Sequence, residues 1–219
     1  MPRLLFTKLE NSIWISHLDT MRVFQRAFKR AGMLLKHTQG FNPRPSVSIA
    51  LPLSVGVDSE CELLDFDLDG QVLPCEEIQT RLNQALVSGI QVLQVYEDGQ
   101  KLKHLKYLKC QILLEYDQGV SDSTTQAIAE LFSRNELKVE KKGKNGIIQQ
   151  DIIPMIRHLD MAIKDANTVI LDATVCCQEP SLNPAQLINA INKYLPQLKP
   201  DFAKCRRIEL YDADENIFR

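Results

Sequence analysis

The chain has 219 residues, enough for one large domain or two small ones. Its 44% hydrophobic and 25% charged residues are ordinary for a globular protein and exclude a disordered chain. No apolar run approaches the roughly 18 residues of a membrane span, and the N-terminus lacks a signal-peptide pattern. The sequence therefore predicts a soluble cytoplasmic protein with no membrane partner.

Positive charge is concentrated at one end of the chain. Residues 1–50 contain eight Lys/Arg and two acids, Glu10 and Asp19, for a balance of +6. Because the whole chain carries −2, residues 51–219 carry −8. Such asymmetry is typical of a surface that binds a polyanion or an acidic partner.

The first half of the chain predicts alternating strands and helices. Residues 3–9 are expected to form a strand, and residues 13–15 could return beside it. Ser16 is the predicted N-cap of a helix that ends near Ala31, with Asp19 as its capping-box partner. Further along we predict extended segments near 33–37, 46–52 and 61–68, a helix from Pro74 to about Val87, and a strand at 90–96.

A similar order of elements follows a polar linker at 97–107. The predicted elements are a strand at 108–116, a helix at 122–134, segments 136–142 and 146–152 flanking a GKNG hairpin turn, strands near 159–163 and 168–176, a helix from Pro184 to about Leu195, and a strand at 205–211. The fold class is therefore expected to be α+β. We predict two ferredoxin-like (β-α-β-β-α-β) subdomains in tandem, over residues 1–100 and 106–219.

The first predicted helix has two distinct faces. On a helical wheel the apolar residues cluster on one side, and Arg22, Arg26, Lys29 and Arg30 cluster on the other with Asp19. A solvated face, partly neutralised by an Asp19–Arg22 pair, is the ordinary interpretation. The surplus of arginine, which binds phosphate with a planar fork, favours a ligand surface instead.

His17 lies on the apolar side of this wheel, in the first turn. It is either a core histidine that hydrogen-bonds a backbone carbonyl, or a neutral imidazole that acts as a general base or orients a ligand. His17 and Asp19 are therefore the candidate catalytic residues. We expect His17 to anchor the helix start against the loop at 40–45, and His37 and Arg44 to lie close to the same site.

The loop Gly-Phe-Asn-Pro-Arg-Pro is predicted to be stiff. Pro43 and Pro45 fix their own φ angles and restrict the preceding residues. A structural corner is one interpretation. The other is a rigid presentation of ligand-binding residues, namely Gly40, Phe41, Asn42 and Arg44. In that case we expect the loop and the basic helix face to form one continuous positive surface.

The cysteine spacing predicts no metal and no cofactor. None of the six cysteines forms a C-x-x-C pair, and none lies beside a histidine at zinc-ligand spacing. The C-x₃-C-x₂-C triplet of a radical-type iron–sulfur cluster is also missing from the sequence. We therefore expect buried free thiols.

Three motifs resemble a bacterial radical-SAM-linked domain of unknown function. They are SHLD-x-MR-x-x-x-RA-x-x-RAG, T-x-GFNPRP and PL-x-x-G-x-x-SE, which cover residues 16–60. The resemblance implies a partner, because members of that family are encoded beside, or fused to, a radical SAM protein. Since this chain lacks the cluster triplet, any radical chemistry would belong to that partner.

Three functions follow as hypotheses. The first is an accessory RNA-binding protein that presents RNA to a radical SAM modifying partner. Phe41 would then stack on an unpaired base, while Arg22, Arg26, Arg30 and Arg44 contact phosphates. The second is a metal-independent ribonuclease or another acid–base enzyme that uses His17. The third is a protein-interaction subunit of a radical SAM complex.

Overall fold

The chain is a mixed α+β protein. The computed structural model describes residues 1–70, 72–143 and 146–219. These residues divide into two compact units, one of residues 1–104 with Arg219 and one of residues 105–218. None of the helices among the described residues combines the length and the hydrophobicity that a membrane span requires.

Helices and strands alternate along the described residues. The helices are α1 (His17–Arg30), α2 (Cys75–Ala85), α3 (Asp122–Phe132) and α4 (Ala185–Tyr194). The strands are β1 (Arg3–Lys8), β2 (Val47–Ile49), β3 (Asp58–Phe66), β4 (Ile90–Tyr96), β5 (Tyr107–Glu115), β6 (Lys138–Gly143), β7 (Gly146–Asp151), β8 (Ile156–Asp165), β9 (Thr168–Cys176) and β10 (Phe202–Tyr211).

In the N-terminal unit the strand order is β4-β1-β3-β2, and every pairing is antiparallel. Helices α1 and α2 pack on one face of this sheet. The core between them contains a T-shaped pair, Phe6 and Phe24, with ring centroids 4.7 Å apart, and a tilted pair, Phe28 and Phe66, 4.9 Å apart. Each pair joins α1 to a sheet strand, so the aromatic contacts fix the position of α1.

Two predicted segments of this unit have a different structure. Residues 13–15 do not return as a strand, because Glu10–Trp14 forms a 3-10 helix, with Glu10 at a φ of 53°. The buried hydroxyl of Ser12 donates to the carbonyl oxygens of Leu9 and Gly89, which stabilises this turn. Segment 33–37 contributes only isolated bridges, among them Leu35 with Leu68. Hydrogen bonds to distant residues thus fix residues 9–15 as a turn, and segment 33–37 pairs over too few residues to form a strand.

In the C-terminal unit the strand order is β10-β5-β9-β8, again with antiparallel pairs. Strands β6 and β7 form a separate two-stranded sheet. This hairpin agrees with the segments predicted to flank the GKNG turn, whose central residues, Lys144 and Asn145, lie outside the described residues. Strands β8 and β10 are longer than predicted, because their added end residues are exposed or half-buried and show none of the apolar alternation that marks a strand.

Candidate nucleic-acid interface

The start of α1 is fixed by the predicted N-cap. The hydroxyl of Ser16 accepts the backbone N–H of Asp19 at 3.2 Å and donates to the Asp19 carboxylate at 2.7 Å. Arg22 donates to the other carboxylate oxygen at 2.7 Å. The hydrogen bond from Ser16, followed by the one from Arg22, lowers the pKa of Asp19. Asp19 therefore serves the helix cap and an exposed ion pair.

The basic face of α1 lies in solvent, as the wheel predicts. Arg22, Arg26, Lys29 and Arg30 are all exposed. Arg22 is paired with Asp19, and Arg30 donates to the carbonyl of Ala85 at the end of α2. Among the described residues, Arg26 and Lys29 have no ion-pair partner within salt-bridge distance. This face consequently keeps a surplus of positive charge that an anion can reach.

The loop after α1 is closed by hydrogen bonds at its base. Thr38 and Arg44 are linked twice, by the Thr38 N–H to the Arg44 carbonyl at 2.9 Å and by the Arg44 N–H to the Thr38 hydroxyl at 3.0 Å. His37 and Pro45 form an isolated bridge below them. Gly40 has a φ of 132°, a conformation that favours glycine. The loop is therefore a pinned hairpin-like turn.

The side chains at the tip of this turn point into solvent. Phe41 is fully exposed, and Asn42 and Arg44 are exposed as well. Single exposed apolar side chains are common on protein surfaces. An exposed aromatic ring close to an arginine in the sequence, however, has the chemistry needed to stack on a base and to contact a phosphate.

A different kind of site lies beneath the first turn of α1. His17 and Thr20 line a cavity of about 10 Å³, room for about one water molecule, whose apolar walls are Phe6, Ile49 and Leu53 and whose polar floor is Lys8 and Glu62. The side chain of His17 is half-buried there. It has no hydrogen-bond partner among the described residues, so the expected backbone carbonyl does not bind it.

The floor of this cavity is unusual because its ionisable groups are buried. Lys8 and Glu62 are each 2% exposed and continue, on β1 and β3, the rows of core side chains that face the helices. Lys8 Nζ donates to the carbonyl of Ile13 at 3.1 Å, and the Ser59 hydroxyl donates to Glu62 at 2.6 Å. Burial lowers the pKa of Lys8, while Glu62 and the buried Asp58 oppose that shift.

The structure separates several residues that the sequence led us to group. Asp19 lies on the exposed side of α1 and His17 on the cavity side, so the two candidate catalytic residues do not face one another. The 14 residues of α1 span about 21 Å, with His17 at the start of the helix and the loop beyond its end.

Strand β3 leads to the same conclusion about the loop. Glu62 lines the cavity, whereas the loop joins the sheet five residues further on, where Lys36 and Asp67 form a salt bridge of 3.6 Å. The expectation that His17 anchors the helix start against the loop, close to His37 and Arg44, is therefore not met.

The sequence did not predict that Lys8, Asp58 and Glu62 lie at a site. The signal that marks them is the run Asp58, Glu60 and Glu62, in which acids occupy alternate positions of a strand and so share one face. Acidic side chains are normally solvated, and only the fold buries two of these carboxylates, Asp58 and Glu62.

The cysteines are free thiols, and no group of three or more metal-ligating side chains occurs among the described residues. Four of the thiols are buried, and burial contributes to raising the pKa of Cys177 to about 12. The four buried cysteines therefore pack as small core residues.

Comparisons with solved structures show little beyond broad similarity. A chain of a crystal structure of a Cbf5-Nop10-Gar1 complex matches with 10% identity and a TM-score of 0.48, covering 95% of this chain and 48% of that chain. This chain thus spans about half the length of that protein. An unknown protein from Galdieria sulphuraria matches with 10% identity and a TM-score of 0.27, over 97% of each chain. None of the curated proteins matches.

A family model gives the clearest comparison. It matches residues 2–184, which include all three motifs of residues 16–60, the basic face of α1 and the pinned loop. The description of this family contains no activity and no link to radical SAM proteins. The chain belongs to the family described as an uncharacterized protein conserved in bacteria (DUF2344).

Proposed function

We propose that this protein is an accessory RNA-binding protein of the cytoplasm that presents single-stranded RNA to a radical SAM modifying partner. The observation that carries the RNA part is the fully exposed ring of Phe41, held in a pinned loop beside Arg44. Every base can stack on this ring, because each base has a π-face. The arginine can neutralise the charge of the neighbouring phosphates.

The fold is compatible with this role. The strand order β4-β1-β3-β2 and its β10-β5-β9-β8 counterpart support two ferredoxin-like units in tandem, the second with the β6–β7 hairpin inserted. In such units the sheet and helices form a rigid scaffold, and the loops carry the ligand contacts.

The partner is proposed on the resemblance of residues 16–60 to radical-SAM-linked domains. The test is co-purification from bacterial lysate with and without ribonuclease. We expect a radical SAM protein to co-purify with the wild-type chain. Co-purification of RNA without a radical SAM protein would contradict the proposed partner and would still support RNA binding.

The RNA part is tested by the change Phe41→Ala. Loss of stacking on one base costs about 1–3 kcal/mol, which corresponds to a roughly 5- to 150-fold weaker Kd. The measurement is fluorescence anisotropy with a labelled single-stranded RNA and with the matching duplex. We expect the wild-type protein to prefer the single strand, because unpaired bases are needed for stacking.

Two control variants accompany this test. Phe41→Tyr keeps an aromatic ring and is expected to bind like the wild type. Val72→Ala removes another exposed apolar side chain of the same unit and is expected to leave Kd unchanged. Equal binding by Phe41→Ala and the wild type would contradict the proposal.

A second candidate function is acid–base catalysis on bound RNA. The observation that favours it is the cavity of His17, where Lys8 and Glu62 replace Asp19 as the ionisable neighbours. Incubation of bound RNA followed by analysis of its length distinguishes the two functions. Intact RNA agrees with an accessory role, and cleavage lost in His17→Ala agrees with an enzyme.

A further inference from the structure

A second concentration of positive charge occurs in the C-terminal unit. Between residues 134 and 144 the sequence has five Lys/Arg and two Glu, inside the part of the chain that carries −8. In the fold, Lys193 at the end of α4 lies beside this segment. None of these residues belongs to the interface on α1 and its loop.

One aromatic ring brings two of these cations together. The guanidinium of Arg134 lies 5.6 Å from the centroid of the Tyr194 ring, and Nζ of Lys193 lies 5.1 Å from it. Both distances are within the range of cation–π attraction. Arg134 and Lys193 are exposed, so the ring holds two neighbouring positive charges at the surface.

The ring itself is fixed in place. The hydroxyl of Tyr194 donates to the carbonyl of Lys138 at 2.8 Å, and Nζ of Lys193 donates to the same oxygen at 3.0 Å. Since Lys138 begins β6, these bonds tie the end of α4 to the base of the β6–β7 hairpin. The cations are thus held on a rigid platform rather than on a mobile arm.

The acids near this platform do not cancel its charge. Glu136 pairs with Nζ of Lys138 at 2.7 Å. Asp151 accepts the backbone N–H groups of Leu137 and Ile153, which orient it toward the hairpin base. Arg134 and Lys193 have no carboxylate within salt-bridge distance among the described residues. An anion that contacts both cations lowers the electrostatic repulsion between them.

We propose that Arg134 and Lys193, held at the ring of Tyr194, form a second contact surface for the phosphate backbone of RNA. This inference rests on the proposed function of the chain as an RNA-binding protein. Contacts of this kind to phosphate are independent of sequence, so the surface adds affinity and salt dependence rather than base preference.

The test measures Kd for a single-stranded RNA across a series of salt concentrations. The variant Arg134→Gln with Lys193→Gln removes both charges. Because each phosphate contact to a single strand adds about 0.7 to the slope of log K against log salt, we expect this slope to shrink by about 1.4.

Matched variants separate charge from structure. Arg134→Lys with Lys193→Arg keeps both charges and is expected to keep the wild-type slope. Lys164→Gln with Lys199→Gln removes two exposed lysines elsewhere in the unit and is also expected to keep it. Far-UV circular dichroism and a melting curve establish that each variant is folded.

Each outcome has one meaning. An unchanged slope in Arg134→Gln/Lys193→Gln, while Phe41→Ala still weakens binding, overturns the second surface and leaves the proposed function intact. No RNA binding by the wild type at low salt overturns both. If polyglutamate binds the wild type but not Arg134→Gln/Lys193→Gln, while the salt slope for RNA is the same in both proteins, the surface fits an acidic protein and the inference is wrong.

Discussion

The two ends of helix α1 use charged residues in opposite ways. At its start, Lys8 and Glu62 are buried beneath His17, and their hydrogen bonds point inward. Beyond its end, Lys36 and Asp67 form a salt bridge in solvent, and the nearby Phe41 is fully exposed. The buried charges at the start of α1 therefore stabilise the fold, whereas the exposed groups beyond its end are accessible to a ligand.

The largest expected effect comes from removing the buried lysine. Lys8→Met removes the buried ammonium that donates to the carbonyl of Ile13, and the loss of this hydrogen bond from a buried charged group should cost about 1–3 kcal/mol. Urea unfolding measures this loss. The matched change at the other end, Lys36→Met, removes a surface partner of Asp67 and should cost at most about 1 kcal/mol. Equal losses in the two variants would erase the distinction between the two ends.

An intermediate effect is expected from His17→Ala. The half-buried imidazole lines the cavity, so its loss should lower the free energy of unfolding by about 1–2 kcal/mol. RNA affinity should stay at the wild-type value, because the loop lies beyond the far end of α1. A melting curve beside a binding isotherm measures both quantities.

Leu18→Ala is the control for His17→Ala, since Leu18 is an exposed neighbour in the same helical turn. It should change neither stability nor binding. Wild-type stability with lost binding or lost turnover in His17→Ala would place the histidine in a ligand site instead.

The smallest effect concerns the helix cap. Ser16→Ala removes the hydroxyl that caps α1 and should cost about 1 kcal/mol. The same hydroxyl is the main cause of the lowered pKa of Asp19, so that pKa should rise toward 3.8 in the variant. Because the folded-state pKa of Asp19 is lowered, its stabilising contribution is present above pH 3.8 and is lost as the pH falls through the folded value. Carboxyl NMR titration of both proteins checks the shift.

Periodicity and capping signals predicted local structure well. The apolar and basic faces of α1, its Ser16 cap and its end before Gly32 all follow from spacing alone. Ile13 to Ile15 was predicted wrongly, because β propensity does not reveal that Ser12 bonds both Leu9 and Gly89, 77 residues away. The sequence did not reveal whether Phe41 is buried or exposed, because a Pro-rich turn can either bury its aromatic side chain or expose it to solvent.

The α+β class, the charge asymmetry and the restricted backbone of the loop all follow from composition and from neighbouring residues. The packing of distant segments, in contrast, buries Lys8 and Glu62, turns His17 toward them and away from Asp19, and places the loop beyond the other end of α1. It also brought Arg134 and Lys193, 59 positions apart in the sequence, onto one tyrosine ring. Burial and proximity of this kind arise when distant segments pack together, and no local pattern encodes them.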